Sequence, residues 1–126
     1  MIYRYSRNYY PPAPIVEVTF VSVAENLRVG PLPAFVDSGA DGTLAPADYL
    51  DGIRAPSTVE MSVRSQWGES RRVLLYLVDV QIGDVTLPGI EVVGDEASNE
   101  IVLGRDVLNQ LRVLLNGPEE TTEILE

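Results

Sequence analysis

The sequence has no cysteine, no histidine and no lysine among its 126 residues. The absence of cysteine excludes a disulfide framework and a thiolate metal site. The absence of histidine removes the most common general base of enzymes, and the absence of lysine excludes Schiff-base chemistry. Any acid–base chemistry of this chain must therefore be carried out by carboxylates.

Basic residues and long apolar runs are also scarce. The nine basic residues are all arginine, and together with 19 acidic residues they give a net charge of −10. Such an excess of negative charge argues against binding to nucleic acid or to an anionic membrane. No run approaches the length of a membrane span, and the N-terminus lacks the apolar core of a signal peptide. We therefore expect a soluble, cytoplasmic protein.

The two ends of the chain differ from its middle in composition. Residues 1–14 contain four tyrosines, two arginines and three prolines but no acidic residue, whereas residues 117–126 are rich in glutamate. We predict an N-terminal arm at 1–14, one domain at 15–116 and an acidic C-terminal tail at 117–126. Two frayed tails are the interpretation that we favour. The alternative is that arm and tail meet at a subunit interface, with Arg4 or Arg7 near the glutamates.

Short apolar runs separated by turn residues predict an all-β protein. Apolar and polar residues alternate from Ile15 to Val23, which is the period of a strand. Further strands are predicted at 32–36, 58–64, 71–80, 86–93, 101–103 and 112–116, with a turn at 28–31 and a helical turn at 46–50. Apolar residues at helical spacing predict one short helix at 105–111. Many short strands with one late helix are typical of a small closed β-barrel.

One stretch joins an apolar run directly to an acidic residue, because residues 34–41 read Ala-Phe-Val-Asp-Ser-Gly-Ala-Asp. Such a strand delivers the Asp37 carboxylate into a tight loop, since Gly39 permits backbone geometry that other residues resist. A buried charge must be paired, hydrogen-bonded or protonated, so an aspartate at this place indicates chemistry. The alternative is a surface turn or a buried structural aspartate.

This stretch resembles the active-site loop of the retropepsin family, the aspartic proteases related to those of retroviruses. A second block, residues 100–108, reads Glu-Ile-Val-Leu-Gly-Arg-Asp-Val-Leu. It resembles the later signature of that family, which is an apolar triplet, then Gly-Arg, then a short helix. The blocks occur in the family's order, with Gly104 67 positions after Asp37 (104 minus 37).

The resemblance implies a small closed barrel of the retropepsin type, with one short C-terminal helix, that acts as a symmetric homodimer. It implies an aspartic endopeptidase that cleaves a polypeptide substrate and needs no metal or organic cofactor. The chemistry needs two carboxyl groups that share a proton, and the sequence holds one copy of the signature, so each subunit would supply its Asp37. In the family, the residue at Ser38 bridges the subunits through its hydroxyl, and Gly39 lets backbone amides approach the carboxylates.

An ion pair follows from the same resemblance. In the family, an acid four positions after the catalytic aspartate meets the arginine of the Gly-Arg pair. Here this predicts a partly buried, structural contact between Asp41 and Arg105, which would hold the active-site loop to the helix. The alternative is that both side chains lie in water, where their pairing contributes almost nothing to stability.

The predicted substrate-binding residues are Ala40, Leu44, Trp67, Gly68 and Val102. Trp67 and Gly68 lie at the tip of a hairpin whose position resembles the flap, which closes over bound peptide. A plain hairpin is the alternative. The other three are candidate walls of the cleft, which favours apolar side chains around the scissile bond. The alternative for each of these three is an ordinary core residue.

Two other functions remain open at the level of sequence. A non-catalytic dimeric adaptor or regulatory protein would use the retropepsin fold to bind an extended polypeptide, since a fold does not define a function. A monomeric β-barrel that binds a small ligand is the third possibility. Cleavage of a denatured protein by the native chain, but not by an Asp37→Asn variant, would distinguish the enzyme from the adaptor.

Overall fold

The computed structural model describes residues 1–64, 68 and 70–125. This part of the chain forms ten strands and two short helices. The strands are β1 (Ile2–Arg4), β2 (Ile15–Ser22), β3 (Leu27–Val36), β4 (Leu44–Pro46), β5 (Ser57–Arg64), β6 (Ser70–Ile82), β7 (Val85–Asp95), β8 (Ile101–Leu103), β9 (Arg112–Asn116) and β10 (Thr121–Leu125). The helices are α1 (Ala47–Gly52) and α2 (Arg105–Leu108).

Six of the strands form a closed barrel in the order β2-β3-β8-β4-β7-β6, and β2 pairs with β6 to complete the ring. β5 pairs with the first half of β6, and β2 pairs with its second half. Most pairs are antiparallel, but β3 runs parallel to β8 and β4 runs parallel to β7. The predicted all-β closed barrel is confirmed, with α1 as a second short helix where the sequence predicted a helical turn. No helix among the described residues is long and apolar enough to cross a membrane.

The barrel core is built by strand alternation. On β2, Val16, Val18 and Phe20 are at most 1% exposed, whereas Glu17 between them is exposed. Leu50 of α1 and Leu103 of β8 join the same buried cluster. Burial of an apolar side chain of this size contributes about 1.5–3 kcal/mol relative to leaving it in water. Residues of β3 and β8 also belong to this cluster, so the core fixes the strand that precedes the Asp-Ser-Gly loop and the parallel strand beside it.

The turn predicted at 28–31 lies elsewhere. The chain reverses at 23–26, where Asn26 takes a φ of 52°, and residues 28–31 belong to β3. The backbone of β2 passes so close to Gly30 that a Cβ atom there would lie 2.6 Å from the carbonyl oxygen of Val18. The pairing shifts register at this point. Gly30 therefore serves a β-bulge, not a turn.

The two ends of the chain form a second sheet, in which β10 lies between β1 and β9 and is antiparallel to both. A salt bridge of 3.2 Å joins the guanidinium of Arg7 to Glu120. The interpretation of the ends as frayed tails is therefore wrong, and the chain continues beyond the strand predicted at 112–116 into β10. Arm and tail meet within one chain, because β10 offers backbone donors and acceptors on both of its edges. The domain boundaries themselves stay predictions.

Candidate active site

The candidate active-site loop, residues 37–43, connects β3 to β4. The backbone N–H of Asp37 donates to the carbonyl oxygen of Leu103 on the parallel strand β8, at 3.1 Å. The Asp37 side chain is exposed, and its Oδ1 accepts a hydrogen bond of 2.9 Å from the backbone N–H of Gly39. A Cβ atom on residue 39 would lie 3.1 Å from that oxygen. Glycine therefore leaves the amide room to approach the carboxylate.

A buried hydrogen-bond network holds the other end of this loop. The hydroxyl of Thr43, which is fully buried, donates to Oδ1 of Asp106 at 2.7 Å and accepts from the backbone N–H of Gly104 at 3.1 Å. The backbone N–H of Thr43 donates to Oδ2 of the same carboxylate at 3.2 Å. This network ties the loop to the start of α2, 63 residues later in the chain.

Thr43 and Asp106 are not among the site residues predicted from the sequence. Thr43 lies two residues after the first motif block, and Asp106 follows the Gly-Arg pair of the second block. A polar residue at the entrance to a buried strand needs a partner, and the acidic residue after Gly-Arg was available to provide one. A threonine before one buried strand and an aspartate after another are the sequence features from which this contact could have been predicted.

The backbones of the active-site loop and of the second motif block touch at Gly42 and Gly104. A Cβ atom on residue 104 would lie 2.5 Å from the carbonyl carbon and oxygen of Gly42. The backbone N–H of Arg105 donates to the carbonyl oxygen of Ala40 at 2.9 Å. The loop is thus held by α2 through main-chain contacts as well as through the Thr43 network.

The guanidinium of Arg105 bridges two points of the loop. It contacts the carboxylate of Asp41, and it donates a hydrogen bond of 3.0 Å to the carbonyl oxygen of Ser38. The side chains of Arg105 and Asp41 are 45% and 92% exposed, so the pair lies closer to water than the sequence predicted. Exposed ion pairs contribute at most about 1 kcal/mol. The hydrogen bond to the Ser38 carbonyl gives Arg105 a second attachment to the loop, independent of Asp41.

The predicted cleft residues are only partly brought together. Leu44 of β4 and Val102 of β8 are register partners and are both half-buried, and Ala40 is half-buried within the loop. Gly68 is exposed, with a φ of 81° and open space around its Cα atom. Trp67 lies outside the described residues. The substrate-binding roles of all five stay predictions.

Helix α1, which follows β4, is attached to β6 by a hydrogen bond. The phenol of Tyr76, buried at 4% exposure, donates to Oδ1 of Asp51 at 2.8 Å. Burial, and secondly this bond to a carboxylate, raise the pKa of Tyr76 to about 12. The phenol therefore keeps its proton at all ordinary pH values. No cluster of three acidic side chains that could hold a metal ion occurs within residues 1–64, 68 and 70–125.

A closed six-stranded barrel that carries an Asp-Ser-Gly loop, supported by a Gly-Arg segment from β8 and α2, defines a retropepsin-like aspartic protease. The family model described as "gag-polyprotein putative aspartyl protease" matches residues 25–110. The chain belongs to this family of aspartic proteases. No curated protein matches the sequence.

Solved structures share the fold at low sequence identity. A retropepsin-like aspartic protease from Rickettsia conorii aligns with a TM-score of 0.67 at 15% identity, over 98% of this chain and 88% of that one. The retroviral protease-like domain of Ddi1 from Leishmania major gives 0.53 at 16% identity, over 90% and 94% of the two chains. The protease of Simian Foamy Virus (mac) gives 0.52 at 19% identity, over 75% and 91%.

Proposed function

We propose that this chain is an aspartic endopeptidase whose catalytic dyad consists of one Asp37 from each of two subunits. The observation that carries the proposal is the Asp37 loop, in which an exposed carboxylate at the end of a barrel strand is held by the N–H of Gly39. The chain has no histidine, cysteine or lysine to serve as base or nucleophile. With these residue types absent, activation of water by carboxylates is the mechanism that the composition allows.

The reaction would proceed by general acid–base catalysis. Two carboxyl groups about 3 Å apart cannot both ionise easily, so they share one proton. The ionised one accepts a proton from water as the water oxygen attacks the peptide carbonyl carbon, and the protonated one donates to the carbonyl oxygen. Collapse of the tetrahedral intermediate breaks the C–N bond as a proton passes to the leaving nitrogen. Main-chain contacts hold the loop still during these steps.

The second carboxyl group requires a second copy of the chain. The edge strand β9 is the surface on which the two copies would pair. β9 lies at the edge of the terminal sheet, with β10 as its one partner strand in the described part of the chain. Leu114 and Leu115, in the middle of β9, are 46% and 50% exposed. An apolar edge strand with free backbone groups is suited to antiparallel pairing with its own copy across a two-fold axis.

The activity is tested by incubating a denatured protein with the native chain between pH 3 and pH 7 and identifying new peptide ends by mass spectrometry. We expect cleavage by the native chain and by Asp48→Asn, an exposed aspartate of α1 that serves as the matched control. Asp37→Asn should reduce the rate by at least about 1,000-fold, because the dyad loses its ionisable group. Equal activity of native and Asp37→Asn protein would refute the proposal. Absence of cleavage by all three would favour the adaptor.

The dimer is tested with a charge placed on the β9 edge. We expect Leu114→Arg to raise the dimer dissociation constant at least about 10-fold in sedimentation experiments, because two like charges would meet at the interface. Leu27→Arg changes a leucine of similar exposure, 38% against 46%, on β3 and should leave the dimer intact. Activity should fall in parallel with the dimer fraction. A fully active monomer would rule out a dyad shared between subunits.

A further inference from the structure

A cavity of about 110 Å³ lies against β3 and the segment that leads into β8. Three segments line it: the N-terminal arm with Asn8 and Tyr9, strand β3 with Phe35, and the residues before β8 with Asn99 and Glu100. Ligand pockets for whole small molecules usually measure about 300–1,000 Å³. This cavity is therefore the right size for one side chain of a larger ligand.

The positions of the lining residues on β3 and just before β8 place the cavity close to Asp37. Phe35 precedes Asp37 by two residues, which is about 7 Å of extended strand. Phe35 is the register partner of Val102, two residues after Glu100. The next residue of β8, Leu103, accepts the hydrogen bond from the N–H of Asp37. A peptide bond held at Asp37 would thus place a neighbouring side chain within reach of this cavity.

The arm contributes a wall because it is anchored at both sides of Tyr9. Ser6 and Ala13 exchange two backbone hydrogen bonds, of 2.8 and 3.0 Å, which close the segment between them into a loop. Arg7 adds the salt bridge to Glu120. Within the loop, the ring of Tyr9 packs edge-on against Phe35, with 4.8 Å between ring centroids and 75° between planes.

The chemistry of the walls combines aromatic rings with a carboxylate. The phenol of Tyr9 donates to Oε1 of Glu100 at 3.4 Å. Partial burial, and secondly the Glu100 charge, raise the pKa of Tyr9, so the phenol stays a donor. The other carboxylate oxygen, Oε2, has no partner among the residues that the structure describes. An exposed carboxylate next to two aromatic rings favours the binding of a side chain that has an apolar stem and a cationic end.

We propose that this cavity is a substrate subsite that selects an arginine or lysine side chain next to the scissile bond, with Tyr9, Phe35 and Glu100 as its specificity-determining residues. The inference rests on the proposed endopeptidase function. The methylene stem would lie along the aromatic rings, and the cationic end would pair with Oε2 of Glu100. This assigns a role to the arm and replaces the apolar preference that the sequence predicted at that position.

Matched peptides test the subsite. One cleaved sequence, found in the denatured-protein digest, is synthesised with arginine, citrulline or leucine beside the scissile bond. Citrulline keeps the shape of arginine without its charge. We expect kcat/KM for arginine to exceed that for citrulline at least about 10-fold, a ratio that Glu100→Gln lowers to about 1. Glu96→Gln, an exposed glutamate of the same connection, should keep the native ratio. A native ratio near 1, a preference for leucine, or an unchanged ratio in Glu100→Gln would overturn the assignment.

A binding experiment separates failure of the subsite from failure of the enzyme. Alanine-based octapeptides with a central arginine, citrulline or leucine are titrated into the Asp37→Asn protein, and amide chemical shifts are followed by NMR. We expect the arginine peptide to bind at least about 5-fold more tightly than the citrulline peptide, with shifts at Tyr9, Phe35 and Glu100, and the difference to vanish when Glu100→Gln is added. Preferential binding without cleavage by the native chain would reject the endopeptidase but keep the site. Equal binding of all three peptides would reject the site.

Discussion

Replacement of Thr43 by valine isolates the buried network that positions the candidate active-site loop. Valine has nearly the same shape as threonine but removes the hydroxyl that joins Asp106 to the N–H of Gly104. The buried N–H of Gly104 then lacks its acceptor, which costs about 1–3 kcal/mol. Asp106 loses a hydrogen bond to a charged group, worth about 1.5–3 kcal/mol, against a gain of about 0.8 kcal/mol for the added methyl group. We expect Thr43→Val to lower the free energy of unfolding by about 3 kcal/mol.

The chain provides a matched control for this substitution. Thr122 of β10 is also 0% exposed, but its hydroxyl has no hydrogen-bond partner in the part of the chain that the structure describes. Thr122→Val should therefore be neutral or stabilising, because it removes a buried polar group that gains nothing from the fold. Urea unfolding of both variants is measured at one protein concentration, since the proposed dimer would make stability depend on concentration. If Thr43→Val loses no more stability than Thr122→Val, the network does not hold the loop.

Three further predictions concern the contacts around the site. Gly104→Ala should lower the free energy of unfolding by about 1–3 kcal/mol, because its Cβ atom would meet rigid backbone at Gly42. Gly117→Ala meets no atom within 4 Å and should be near neutral in the same urea titration. Burial and the bond to Asp51 raise the pKa of Tyr76 from 10.0 to about 12. The unfolded chain therefore loses this proton first, so the stabilisation is complete below the unfolded value and is lost as pH rises to about 12. Tyr76→Phe should show a smaller decline of unfolding free energy over that range, and an identical decline would contradict the assignment. Asp41→Asn should lower the free energy of unfolding by less than about 1 kcal/mol, because Asp41 is 92% exposed and Arg105 keeps its bond to the Ser38 carbonyl. A larger loss would show that the ion pair itself stabilises the loop.

The central part of the barrel could be predicted from the sequence. Strict alternation on β2 and the apolar triplet of β8 follow from neighbouring residues, because a strand turns successive side chains to opposite faces. The tight loop at Asp-Ser-Gly and the start of the helix after Gly104 could also be predicted from neighbouring residues. Gly30 was misassigned to a turn, since its role depends on how closely β2 passes, and that approach is not encoded in the residues around it.

The sequence by itself determined the strand periodicity, the place of the single Asp-Ser-Gly motif and the absence of histidine, cysteine and lysine. Those are properties of residues within a few positions of one another. The tertiary structure alone decided that Thr43 meets Asp106, that β1 pairs with β10, and that Tyr9 packs on Phe35 beside Glu100. Each of these contacts joins segments that lie between 26 and 121 residues apart in the chain (35 minus 9 for Tyr9 and Phe35; 123 minus 2 for the pairing of β1 with β10). Many pairings are compatible with the local pattern of such segments, and only the packing of the whole barrel selects one of them.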